Sequence, residues 1–295
     1  MEQKNAMNKP AAPARPAAPA PKTGGEAKGG SVFAAIVIPL ALAVAIAIYK
    51  FVLGNPANFQ GGNPANHPLP GNYLGIVYKG GFVVPVLMSM LIIVVTFSIE
   101  RFLTISKAKG TKGVEGFVRT VRQKLNVNDI TGAIAVCDQQ KGSVANVVKA
   151  GLLKYQEMSR ERGMDKDQKI LAIQKEIEET TALELPMLEK NLVIISTLAS
   201  VATLVGLLGT VFGMINAFAA LANAGAPDAV GLANGISEAL INTALGILTS
   251  AIAIVMYNFF TSKIDELTYS IDEAGFSIIQ TFASQHGEER VHGAA

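Results

Sequence analysis

The chain alternates between long apolar runs and stretches whose apolar positions recur at helical spacing. Four windows run almost without charge: Val32 to Leu53, Phe82 to Ile99, Leu192 to Ala222 and Gly231 to Tyr257. About 20 residues at 1.5 Å each cross the hydrocarbon core of a bilayer. Each window therefore predicts a transmembrane helix. One such window alone fits a buried helix of a soluble protein, but four together argue against that reading. The first begins 30 residues in. Its run is longer than the roughly 7 to 15 apolar residues of a secretory signal. It is read as a helix, with a cleaved signal as the alternative; the topology of the rest is the same either way.

Between the second and third windows the pattern becomes short and amphipathic. Phe117, Val118, Val121 and Leu125 recur on one helical face, then Ile130, Ile134 and Val136, then Val144, Val147, Val148, Leu152 and Leu153. Glycines at 110, 113, 132, 142, 151 and 163 punctuate them, with Gly132 and Gly151 expected inside helices. From Asp165 a stripe of Ile170, Ile173, Ile177 and Leu185 leads toward the third window. Pro186 is expected to kink this helix rather than end it. One nearly continuous helix from Asp165 to Leu221 would be about 85 Å long. The last window is expected to run on past Lys263, Glu266 and Tyr269 as an amphipathic rod. No strand pattern occurs.

The predicted class is an all-α membrane protein with four transmembrane helices and a helical domain outside the bilayer. Its expected parts are a disordered arm (1–30), a first helix (31–53), a Pro- and Gly-rich external loop (54–79) and a second helix (80–106). A helical domain (107–192), a third helix (193–222), a turn (223–230), a fourth helix (231–258) and an extension with tail (259–295) follow.

Composition and charge fix orientation and exclude chemistry. Only 16% of residues are charged, against roughly 25% in ordinary soluble domains. The first 30 residues carry five basic side chains, residues 54–76 and 223–230 carry none, and 16 lie between Arg101 and Lys190. By the positive-inside rule both ends and the 107–192 segment are cytoplasmic. The basic residues of that segment alternate with acidic ones, which argues against a nucleic-acid surface. The lone Cys137 excludes an intrachain disulfide and is expected to be a small core residue. His67, His286 and His292 lack partners at ligand spacing, so no metal or other cofactor is expected. No nucleophile and base pair up in a soluble pocket, so no enzyme is expected either.

The candidate chemistry lies in the last two windows. Glu238 is a carboxyl within hydrocarbon, which is a functional-site hypothesis by default. Its alternative is a place near the outer interface with access to water. At about 100° per residue, Gly231, Asn234, Gly235, Glu238, Asn242, Thr243, Gly246, Thr249 and Ser250 share one sector of the fourth helix. Ser196, Ala199, Thr203, Gly206, Thr210, Gly213 and Ala217 share a face of the third. Thr210 and Thr243 stand equally far from the connecting turn, so antiparallel helices bring both hydroxyls to one depth. The bland reading is helix packing, since Gly209 and Gly213, like Gly231 and Gly235, form small-xxx-small pairs.

At Leu207-Leu-Gly-Thr-Val-Phe-Gly-Met-Ile-Asn216, Gly235-Ile-Ser-Glu-Ala-Leu-Ile-Asn-Thr-Ala-Leu-Gly246, Glu184-Leu-Pro-Met-Leu-Glu189 and Ser98-Ile-Glu-Arg-Phe-Leu103, the chain resembles the MotA/TolQ/ExbB proton-channel family. The wording of these motifs is nearest the ExbB/TolQ branch, and they extend over roughly residues 80 to 270. The resemblance implies a homopentamer in the bacterial inner membrane around an ExbD- or TolR-like single-span subunit with a membrane aspartate. That partner would pass proton-driven movement to a TonB-like periplasm-spanning protein. It further implies a proton path along Thr210 and Thr243, with Glu238 as the family's membrane glutamate; Thr203 and Asn242 join the path from the seam. The additional first helix departs from the usual three-helix plan. The alternatives are a TolQ-like envelope-maintenance role and a non-transporting oligomeric scaffold. A solute transporter is disfavoured by the absence of inverted repeats.

Overall fold

The computed structural model describes residues 28–222 and 228–285. Residues 1–27 of the expected disordered arm (1–30), most of the 223–230 turn, and the tail with His286 and His292 lie outside the described residues, while residues 28–30 of the arm are helical, opening α1. Among the described residues the chain is all-helical, with one isolated bridge, Phe59 to Pro68, and no strand.

Helix α1 (Lys28–Ala47) carries Pro39 and passes into a π-helical turn, Ile48–Leu53. The segment expected to be an external loop is an ordered cap built on asparagine side chains. Asn58 donates to the Val52 and Leu53 carbonyls and accepts from Asn72, which also caps α2 (Tyr73–Tyr78). Tyr49 stacks on Tyr78, and the Lys79 ammonium bonds the Pro64 and Ala65 carbonyls at 3.0 Å. Burial holds that ammonium below its usual pKa.

Helix α3 (Val83–Lys109) leads to the bundle of α4 (Val114–Asn126), α5 (Ile130–Gln140), α6 (Ser143–Arg160) and α7 (Lys166–Glu189). Buried Gln140 pins the turn after α3 by donating to the Lys109 and Lys112 carbonyls at 2.8 and 2.7 Å. Asp129 and Asp165 cap α5 and α7. The bundle core is formed by Phe117, Val121, Leu125, Val148, Leu152 and Ile173 with their neighbours. Gly132 and Gly151 are helical as expected, and Cys137 is buried. Leu153, assigned to the core stripe, is instead exposed.

The expected continuous helix from 165 to 221 is two helices. Helix α7 contains Pro186 and ends at Glu189, and α8 spans Leu192–Leu221. The break falls at Asn191, in the left-handed region at φ 68°. Buried Arg101 stabilises it by donating to the Met187 and Leu188 carbonyls at the end of α7. Glu100 pairs with Arg101 and accepts from Asn191 at 3.3 Å. Helix α9 (Ala229–Gln285) is one rod of 57 residues. Its first half packs on α8 and α3, and its second half joins the bundle. Helices α1, α3, α8 and α9 are long and apolar enough to cross a membrane, so the chain is a multi-pass membrane protein.

Candidate functional site

The α8/α9 hairpin is held by the absence of side chains. A Cβ at Gly213 would lie 2.6 Å from the Ala239 nitrogen, and one at Gly246 2.7 Å from the Ala202 carbonyl. A Cβ at Gly206 would meet the Asn242 carbonyl at 2.9 Å. The glycines of the predicted seam therefore bring backbones together, which is the packing half of the expectation. The polar side chains flank this contact and sort onto two sides of it.

On one side Thr210 and Thr243 meet, hydroxyl to hydroxyl across the hairpin. Each hydroxyl also lies within reach of the Ala239 carbonyl, at 3.4 Å for Thr210 and 3.2 Å for Thr243. The equal depth read from the sequence is the observed contact. Both threonines are half-buried in the single chain, so the pair is open along one edge of the hairpin. Thr203 lies two helical turns along the same edge of α8, also half-buried. Ser250, one heptad beyond Thr243, donates to the Ala199 carbonyl. A hydroxyl pair can donate to a carboxylate or accept from a protonated carboxyl without changing its own charge.

On the other side Asn242 is fully buried between α8 and the turn before α3. Its amide donates to the Gly80 carbonyl at 2.9 Å, and its side-chain oxygen has no protein partner among the described residues. Glu238 lies one turn nearer the cap, half-buried against Gly81 and accepting from the Asn216 amide at 3.2 Å. Gly81 has φ 75°. A side chain there would be strained and would also collide with the carboxylate. The structure thus brings Thr210 and Thr243 together with Thr203 along their edge, and sets Asn242 and Glu238 on the α3 side of α9.

Sequence periodicity missed the contacts that α3 makes. Nothing in the sector reading placed Gly80 and Gly81 beside Asn242 and Glu238, because helical phase says nothing about which third element packs on a hairpin. Glu100 and Arg101 were singled out within the motif Ser98 to Leu103, but nothing in that motif placed them at the α7/α8 break.

Comparison with known proteins bears on this geometry. Residues 139–273 match the MotA/TolQ/ExbB proton channel family. The chain is 31% identical over 124 residues to the Tol-Pal system protein TolQ of Pseudomonas aeruginosa, covering 42% of this chain and 54% of that one. It is 35% identical over 86 residues to the biopolymer transport protein ExbB of Pseudomonas putida, covering 29% and 26%. With ExbB of Neisseria meningitidis serogroup A it shares 25% over 201 residues, covering 66% and 87%. The matched region thus spans about half of that TolQ and about a quarter of the Pseudomonas putida ExbB. Relatives bear both names.

Proposed function

Taking the MotA/TolQ/ExbB domain at residues 139–273 as premise, we propose that this protein is an ExbB-like channel subunit. It couples the proton-motive force to energisation of TonB-dependent outer-membrane transport. The observation that supports this most is the Thr210–Thr243 pair, open along one edge of the hairpin. In this reading the chain sits in the inner membrane with both ends and the bundle cytoplasmic, and copies form a homopentamer. Its hydroxyl edges face the single-span ExbD- or TolR-like partner whose aspartate carries the proton.

The chemistry is differential solvation. A neutral partner carboxyl tolerates an apolar wall, whereas an ionised one needs donors. The threonine edge, with Thr203 below it, supplies them without competing for the proton. Only such a difference in affinity between the two protonation states biases movement of one subunit against the other. Glu238 and Asn242, on the α3-facing side of the hairpin contact, enter this reading as groups that hold its outer end in place and not as a lining of the threonine edge. Glu238 stands about 7.5 Å nearer the cap than Thr243 along α9. Two further readings remain. Relatives named TolQ favour an envelope-maintenance role for the same machine. The glycine-lined contact favours a passive scaffold.

The test replaces Thr210 and Thr243 singly by Val in cells and follows proton-dependent uptake of an outer-membrane cargo. Uptake lost with a correctly assembled complex supports the proposal. Uptake retained leaves the scaffold, and an envelope-integrity defect with normal uptake moves the assignment to the TolQ-like role.

A further inference from the structure

The hydroxyl edge continues beyond the threonine pair. On α8 and the end of α7, Thr210, Thr203, Ser196 and Glu189 follow one another at seven-residue intervals. On α9 the series Thr243, Ser250 and Tyr257 keeps the same interval, and Thr261 and Asp265 follow. A seven-residue step drifts only about 20° on a straight helix. Thr210, Thr203 and Ser196 therefore stay on one edge of α8, and Thr243 and Tyr257 on one edge of α9, with Ser250 between them buried and bonded to Ala199. Glu189 lies beyond the break at Asn191 and joins them through the cavity it lines. Both series end in one place. A cavity of about 230 Å³ opens between the α7/α8 break and α9, lined by Glu189, Ser196, Tyr257, Thr261 and Asp265 among apolar walls. The Thr261 hydroxyl oxygen is shielded from solvent and has no hydrogen-bond partner among the described residues. No lysine or arginine lines the cavity. The nearby Lys263 ammonium is engaged by Glu266 at 2.6 Å.

We propose that this cavity is the cytoplasmic outlet of the proton route, with Glu189 and Asp265 as its proton acceptors. The inference rests on the channel reading above. From Thr210 to Ser196, as from Thr243 to Tyr257, is about 21 Å along the axis. Hydroxyls about 10 Å apart do not pass a proton directly; they anchor water that does. The partner's carboxylic acid gives its proton to this water, and a carboxylate of Glu189 or Asp265 takes it up as a neutral acid. It then releases the proton to bulk water, so one proton moves and no other bond changes. Two carboxylates in a cleft of one sign concentrate cations, an effect that raises local encounter rates by about 10- to 1,000-fold and fades with salt. Tyr257 completes the wall as a neutral donor, and Thr261 lines it with its hydroxyl oxygen shielded from solvent.

The test is proton flux into proteoliposomes carrying the full complex with its single-span partner, under an imposed gradient. The double variant Glu189→Gln/Asp265→Asn is expected to slow flux about tenfold or more, with each single variant in between. The residual flux should lose its dependence on cytoplasmic-side pH and on salt. The exchange Glu189→Asp/Asp265→Glu should rescue flux relative to the neutral double variant. If the double variant does not assemble, the single variants carry the same comparison. Threonine variants that abolish flux while the neutral variants run at wild-type rate overturn the outlet alone. A wild-type complex that passes no protons, or threonine variants without effect, overturns the channel reading first.

Discussion

Between Gly235 and Gly246, α9 meets α8 through glycine, alanine and Asn242. Between Ile264 and Phe282 the same helix meets α4, α6 and α7 through Ile264, Leu267, Ile271, Ile278 and Phe282. The chemistry of the surroundings explains the contrast. In water, burying a large apolar side chain is itself the driving force. In lipid that gain vanishes, and helices associate through close backbone approach and hydrogen bonds. At the hairpin the glycine contacts bring the backbones together, and the Thr210–Thr243 pair lies beside them, half-buried.

The most damaging change should be Gly213→Leu, which places a branched side chain where even a Cβ would lie 2.6 Å from backbone. Loss of the folded protein in detergent is expected, read by size-exclusion chromatography. Leu152→Ala in the bundle should cost about 2–5 kcal/mol by the usual large-to-small rule, since Leu152 is fully buried. Its thermal unfolding midpoint should fall while the hairpin still assembles. If Gly213→Leu were tolerated and Leu152→Ala were not, the contrast between the regions would be broken.

Smaller effects sharpen it. Burial pushes the Cys137 thiol up to about 12. The unfolded thiol ionises near its ordinary value of roughly 8.5. Stability from this group is therefore whole below that pH and declines as pH rises toward 12. A modest drop in midpoint at alkaline pH, absent in Cys137→Ala, checks the sign, and maleimide should label Cys137 only on unfolding. The smallest effect has the opposite direction. Gly116, in α4, has nothing within 4 Å of a built Cβ, so Gly116→Ala should stabilise by roughly 0.5–1 kcal/mol. A glycine of the bundle is spare where one of the hairpin is obligatory.

The same contrast decides what was legible in the sequence. Apolar length gave the membrane helices, and a period of 3.6 gave the faces of α4 and α6. Antiparallel counting placed Thr210 opposite Thr243. Asn191 was not legible as a break, because the nearest proline, Pro186, lies five residues earlier and is accommodated inside α7. The break depends on Arg101, which sits more than 80 residues away and satisfies the freed carbonyls. Nor was the side of α9 on which Asn242 and Glu238 stand, since that is set by the α3 turn at Gly80 and Gly81. Long-range partners of this kind leave no periodic trace.

In the proposed channel the threonine edge conducts and does not bind the hairpin together. Interhelical hydrogen bonds in membranes contribute about 0.6 kcal/mol on average, too little for the Thr210–Thr243 contact to hold α8 on α9. The direct measurement is proton flux and unfolding midpoint side by side for Thr210→Val/Thr243→Val in the reconstituted complex. The expected result is flux abolished with the midpoint almost unmoved. Flux at the wild-type rate, or a loss that merely follows a collapsed midpoint, would contradict it.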